Sequence, residues 1–242
     1  MVIYRFLACL ALLGMVPCYL RADIEPSKHD LIPTYTLETI EGTGQVQIQK
    51  TDTQDWINAK EGDLLEEGDS LKVGPGSSAI LTLKDDTFIH VGENSTFSVK
   101  QLAEQGDKGF LSRLVLEAGR ILSDVRKNLD ATQSSFEVES GGIVCGVRGT
   151  VFDVSKTGDN VETTTHEGTV QVQGSNGTQM VKAGETCHCL RGQNQSKGAS
   201  SEKAKARFKS WKTAKARCLA HRAARHASHP AHPGIRSRAS HR

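Results

Sequence analysis

Residues 78–91 read Ser78-Ala79-Ile80-Leu81-Thr82-Leu83-Lys84, then Asp85-Asp86, then Thr87-Phe88-Ile89-His90-Val91. Two runs of aliphatic, aromatic and β-branched side chains flank a two-residue acidic connection, the pattern of a β-hairpin. The same period of two extends outward on both sides. Upstream, Gln45-Val46-Gln47-Ile48-Gln49 alternates cleanly, and downstream Ser95 to Lys100 follows the turn residues Gly92-Glu93-Asn94. Further runs are Phe136 to Glu139, Thr150 to Val154, Val161 to Thr165 and Thr169 to Gln173, with glycines between them. Phe110 to Val125 is read as two strands joined at Glu117-Ala118-Gly119-Arg120. Many short strands with closely spaced turn signals predict an all-β domain over residues 43–190, a β-roll or solenoid-like fold or a sandwich. Aromatic residues make up 5% of the chain, so its core is expected to be aliphatic.

The ends differ in kind from this centre. Arg5 precedes an apolar run from Phe6 to Val16, which Pro17 closes. A short basic lead and an apolar stretch of about ten residues have the form of a secretory signal, shorter than the roughly 20 residues needed to cross a bilayer. Residues 1–22 are therefore expected to direct export to the periplasm, the cell surface or the medium, with cleavage after Cys18 or Ala22, and no transmembrane span is expected to remain. Residues 23–42 and 191–199 are expected to be linkers. Residues 200–227 hold no Gly or Pro and are rich in Ala, Lys and Arg, which favours a helix capped by Ser200 or Ser201. Ala204, Phe208, Trp211, Cys218 and Leu219 would form a thin apolar stripe along it. Residues 228–242 are expected to be a disordered basic tail.

The net charge of +2 conceals a division. Residues 23–196 hold 15 Lys and Arg against 27 Asp and Glu, whereas residues 197–242 hold 13 Lys and Arg and the single acid Glu202. A cationic amphipathic helix can lie on anionic lipid or an envelope polymer. Its candidate contacts are Lys203, Lys205, Arg207, Lys209, Trp211, Lys212 and Lys215. Docking on the chain's own acidic domain and a solvated tail are the other readings, and nucleic acid is not an expected partner of an exported chain.

The densest cluster is Gly141-Gly142-Ile143-Val144-Cys145-Gly146-Val147-Arg148-Gly149-Thr150-Val151-Phe152-Asp153-Val154. Gly146 and Gly149 bracket a corner between two strands, and Arg148 between them can fork onto carbonyls or a carboxylate. A phosphate loop is excluded, because Arg148-Gly149-Thr150 runs into a strand rather than a helix. This cluster, with Glu167-Gly168-Thr169-Val170-Gln171-Val172 further on, resembles the FecR domain. Upstream, Glu61-Gly62-Asp63-Leu64-Leu65, Gly68-Asp69-Ser70-Leu71 and Leu116-Glu117-Ala118-Gly119-Arg120-Ile121 fit the same pattern. The resemblance spans residues 43–190. It implies an extracytoplasmic β module and, from the family's named members, transmembrane regulators that pass a signal from an outer-membrane receptor to a sigma factor. Only four residues precede Arg5 here, so that regulatory role is not carried over as the first reading. Gly146, Arg148, Gly149, Thr150, Phe152, Glu167 and Gly168 are expected to be structural.

Outside the expected signal segment, residues 1–22, the cysteines are Cys145, Cys187, Cys189 and Cys218. A disulfide from Cys145 to Cys187 or Cys189 and free thiols are both open. Cys187-His188-Cys189 lacks the second ligand pair of a structural zinc site, so no metal is expected. The histidines at 29, 90, 166 and 188 are scattered, and no catalytic motif appears. The expectation is an exported, non-enzymatic protein-interaction or envelope-scaffold module without cofactor, which binds an envelope protein or glycan while its cationic tail binds anionic surfaces. The alternative is a sensor or regulator component of a FecR-type surface-signalling system.

Overall fold

The structure, a computed structural model, describes residues 32–104, 110–125 and 136–228. The expected signal segment, residues 1–22, and residues 229–242 of the expected tail lie outside the described residues. Seventeen strands and one helix are described, so the all-β domain with a helical extension is observed. The strands are β1 Tyr35–Gly42, β2 Val46–Gln49, β3 Ile57–Asn58, β4 Leu64–Leu65, β5 Ser70–Val73 and β6 Ser77–Thr82. Next come β7 Phe88–Val91, β8 Ser95–Glu104, β9 Phe110–Asp124, β10 Phe136–Ser140, β11 Ile143–Val147 and β12 Val151–Thr157. The last are β13 Asn160–Glu167, β14 Thr169–Gly174, β15 Gly177–Lys182, β16 Glu185–Leu190 and β17 Gln193–Ala199, before helix α1, Glu202–Ser228.

The pairings resolve into two sheets that share β9. One runs β4-β1-β6-β7-β9-β12-β13-β16-β17, all antiparallel. The other runs β3-β2-β5-β8-β9-β10-β11-β14-β15, antiparallel except for the parallel β9–β10 pair. Single strands and hairpins are laid on the two sheets in turn, so the chain winds like a roll whose layers form a sandwich. Alternate side chains from both sheets meet in one core, among them Leu37, Leu81, Val91 and Phe152 facing Ile48, Phe97, Val138 and Val172. Burying every second side chain is what the period-two sequence requires.

Three expectations are corrected. Residues 35–42 are not linker but β1, paired with β4 and β6, because Tyr35 and Leu37 are fully buried in the core. Residues 193–199 are not linker but the edge strand β17, held to β16 by main-chain pairing. Phe110 to Asp124 is one strand rather than two. Its first part pairs with β8 and its last part with β7 and β12, so it crosses from one sheet to the other at Gly119. Gly119 has a φ of +84°, and a β-carbon there would lie 2.3 Å from Ser95 Oγ and 2.5 Å from the Asn94 carbonyl oxygen. Gly119→Ala therefore combines left-handed strain with a backbone collision and should lower stability by about 2 kcal/mol or more. Urea denaturation checks this; an unchanged midpoint would contradict it.

Candidate functional site

On the shared-strand sheet that contains β12, the four strands β6, β7, β9 and β12 carry apolar residues on the face turned away from the core. Ile80, Phe88, Leu122 and Val151 form a second cluster there with Trp211, Ala214 and Cys218 of α1, and with Phe208 at its margin. The helix begins at a cap in which the Ala204 amide donates to Ser201 Oγ at 3.2 Å, with Glu202 in the first turn. Ala204, Trp211 and Cys218 recur every seven residues, and Ala214 completes the stripe. Leu219, expected on that stripe, is 43% exposed, because one residue past Cys218 rotates it about 100° off the seam. Trp211 is 1% exposed, in edge contact with Phe88 at 6.2 Å and stacked on His90 at 5.6 Å.

Charged pairs frame this apolar seam. Arg207 Nη2 donates to Asp153 Oδ1 at 3.3 Å and lies 3.7 Å from Glu162. Lys215 reaches Asp124 at 2.7 Å, and Lys212 reaches Glu167 at 3.5 Å. Arg217 binds both oxygens of Glu41 at 2.9 and 3.0 Å, Arg222 reaches Asp86 at 3.1 Å, and Arg225 pairs with Glu38. Lys212 and Lys215 also sit over the rings of Phe208 and Phe88. At the centre lies Asp153, fully buried, whose Oδ2 is 2.8 Å from His166 Nε2, while the His166 ring stacks on Phe208 at 4.5 Å. The exposed pairs contribute little singly. The buried Asp153–Arg207–His166 cluster fixes where along the sheet the helix sits.

The seven cationic-helix residues expected to meet an anionic surface thus divide. Arg207, Trp211 and Lys215 are turned onto the chain's own domain, and Lys212 is shared with Glu167. Lys203, Lys205 and Lys209 are exposed, with Lys205 paired to Glu202. Docking on the acidic domain, one of the three readings of the tail, is what the structure shows. Nine cations on one 27-residue helix repel one another at several three- and four-residue spacings, as at Lys203/Arg207 and Lys205/Lys209. The facing carboxylates relieve that repulsion.

Burial, and then the nearby Arg120 charge, lowers the pKa of His90 from 6.5 to about 4. The unfolded chain binds that proton more readily, so stability is whole above the ordinary histidine value and falls as the pH drops towards the folded one. Going from pH 7 to pH 5 should remove about 2 kcal/mol through this residue. His90→Phe keeps a ring against Trp211 and should flatten the urea-midpoint difference between these two pH values; an equal drop in both proteins would contradict the assignment.

The glycine-rich cluster turns where the chain changes sheet, and the strand that leaves it carries Val151 and Asp153 into the helix seam. β11 passes to β12 through Arg148-Gly149-Thr150, and β13 passes to β14 through Gly168 beside it. Thr150 Oγ1 donates to the carbonyls of Arg148 at 3.4 Å and Thr169 at 3.2 Å. A β-carbon on Gly168, which has a φ of +82°, would meet Thr150 Oγ1 at 2.8 Å. Cys145, Gly146 and Val147 lie on β11, Phe152 is in the core, and Glu167 pairs in register with Val151. Arg148 is exposed at the corner.

The four cysteines in the described residues are free and buried, so the bond from Cys145 to Cys187 or Cys189 is not formed. Two residues apart on β16, Cys187 and Cys189 project to the same side, and their sulfurs meet each other at 3.6 Å. Cys145 Sγ is 3.2 Å from Thr163 Oγ1, and burial pushes its thiol up to about 12. A protonated, buried thiol beside a threonine is not poised for nucleophilic chemistry. The described residues include no group of three or more potential metal ligands.

A groove of about 610 Å³ opens beside the helix start. Arg120, Lys156, Lys203 and Arg207 line it, together with Glu93 and Glu162. Sequence reasoning did not single out Arg120. The signal was its place one residue past Gly119, where the shared strand bends. No described helix is long and apolar enough to cross a membrane.

Comparison with known proteins agrees with the corner motif. Residues 69–171 match the family described as FecR protein. Two crystal structures of a candidate anti-sigma factor from Parabacteroides distasonis, at 2.50 and 1.65 Å resolution, are similar at 15% and 17% identity with TM-scores of 0.45 and 0.44. Each comparison covers 55% of this chain and 60% of that one, so the likeness spans less than two thirds of either. No curated protein sequence matches the chain. Residues 69–171, the segment that holds the Gly149 and Gly168 corners between the two sheets, thus carry the match to the FecR domain.

Proposed function

We propose that the chain is a non-enzymatic FecR-type regulatory component of the cell envelope, a protein-binding β module whose cationic helix caps its own domain. The observation that carries this reading is the family match over residues 69–171, on a segment whose thiols and histidines are engaged in packing. A scaffold anchored electrostatically to anionic surfaces was the first expectation from the sequence. The docked helix weighs against it, because Trp211 and Arg207, the groups best suited to such a surface, lie at the intramolecular seam.

The test is genetic and chemical. Deleting the gene in its host should alter transcription of a discrete gene set, restored by the intact chain. A photoreactive residue replacing exposed Lys100 or Gln171 should cross-link to a defined envelope protein. Unchanged transcription, together with cross-links to lipid alone, would defeat the regulatory reading and return the scaffold reading to first place.

A further inference from the structure

We propose that the groove between Arg120 and Arg207 is a binding site for a doubly charged oxyanion, a phosphate monoester or a dicarboxylate. Its walls come from three places: Glu93–Asn94 at the turn before β8 with Arg120 on β9, Ser155 to Gly158 at the β12–β13 turn, and Ser201 to Arg207 at the start of α1.

Two guanidiniums at the groove are incompletely paired: Arg120, and Arg207, whose Nη2 meets Asp153 and Glu162 but whose Nε meets no partner among the described residues. Among the described residues the Arg120 guanidinium makes no hydrogen bond or ion pair. It packs against Gly92, where an added β-carbon would come within 3.1 Å of Nη2. Burial, and then the adjacent Arg207 charge, hold Arg120 below the usual arginine range, with the fields of Asp153 and Glu93 opposing. Arg207 is mostly buried, and its Nε is buried with no hydrogen-bond partner among the described residues. Two guanidiniums held near each other and out of bulk water are unfavourable unless an anion lies between them.

Asp153 and Glu93 act on Arg120 through space, but neither carboxylate is bonded to its guanidinium. Asp153 is taken by His166 and Arg207. Glu162 lies between Arg207 at 3.7 Å and His188 at 3.8 Å. Glu93 accepts from the Gly76 amide at 2.9 Å. Lys156 donates to the Glu117 carbonyl oxygen at 3.0 Å and makes no ion pair among the described residues, and Lys203 is exposed at the rim. Paired guanidiniums present forked donors that match the oxygen spacing of phosphate and carboxylate, and the two ammonium groups favour a second negative charge.

The experiment titrates the intact chain with inorganic phosphate and, separately, with succinate, following backbone amide NMR shifts at constant ionic strength set with chloride. Phosphate stabilises many proteins by exclusion from their surface, so a thermal midpoint alone does not decide the matter. Saturable shifts at Gly119, Arg120 and Ser155 to Gly158 are expected with one or both anions. Arg120→Gln should weaken binding at least tenfold, and Lys203→Gln, at the exposed rim, should weaken it severalfold while leaving the spectrum otherwise unchanged. Saturation by phosphate alone identifies a phosphate site, and saturation by succinate alone a dicarboxylate site. Linear shifts that follow ionic strength, or equal affinity in the wild type and both variants, would overturn the proposal.

Discussion

Trp211→Ala should lower stability by about 3–5 kcal/mol, the range for truncating a large buried aromatic side chain. Trp211 is 1% exposed and touches Phe88 and His90, while Ile80, Leu122 and Val151 complete its surroundings. Removing the indole leaves a void on a sheet face that no other described element covers at that point. The salt bridges flanking the void would then face water, where each contributes little. Released from the sheet, a helix with nine cations and one acid must hold its shape against its own repulsion. The loss should therefore appear first in α1. Amide exchange at residues 204–222 should accelerate in the variant while β8 and β9 stay protected. A destabilisation below about 1 kcal/mol, or uniform loss of protection across the domain, would contradict this placement of the indole.

Asp153→Ala should cost a comparable amount, about 3–5 kcal/mol, by a different route. Asp153 is fully buried and faces Arg207 at 3.3 Å and His166 at 2.8 Å. Taking away the carboxylate strands the Arg207 guanidinium beside the Arg120 charge. The penalty comes from an uncompensated buried cation more than from a lost attraction. Asp153→Asn keeps the shape and a hydrogen-bond acceptor but not the charge, and should cost less than the alanine variant. Replacing Asp153 with leucine and Arg207 with methionine together should recover part of the loss, because no buried charge is then left alone. Guanidinium denaturation of the four proteins checks the order; equal stability of wild type and Asp153→Ala would contradict the role given to the cluster.

Much of the fold was legible in the period of two. The β6–β7 hairpin, the strand runs and the helix from residue 202 follow from alternation, turn residues and helix-forming composition. The hairpin connection, however, spans Leu83 to Thr87 rather than the two residues Asp85-Asp86, because Asp86 takes a positive φ in a wider turn. β17 was not legible, because its one deeply buried described side chain is polar: Asn194, whose amide donates to the Gly177 carbonyl oxygen at 3.0 Å. Its place depends on main-chain pairing, which hydropathy does not register. β1 was obscured by Glu38 and Glu41, which lie on the helix-facing side and pair with Arg225 and Arg217.

The helix dock was legible only in part. Ala204, Trp211 and Cys218 marked the seam of α1, but the surface receiving it lay hidden in short apolar doublets. Ile80-Leu81, Phe88-Ile89, Ile121-Leu122 and Val151-Phe152 each place one side chain on either face of their sheet. A strand apolar on both faces requires a cover on both. The outward acids between those doublets read as solvated until a cationic helix is set against them. The thiols could not be assigned from spacing, since whether Cys187 meets Cys189 or Cys145 depends on which way β16 faces.

The intramolecular dock is the claim on which the rest depends, and tryptophan fluorescence tests it most directly. In Trp56→Phe the remaining indole is Trp211, a buried reporter within the seam. The docked helix predicts blue-shifted emission and poor quenching by acrylamide, both unchanged on adding anionic vesicles. Red-shifted, readily quenched emission in buffer that turns blue only on adding those vesicles would show a free cationic helix and contradict the account.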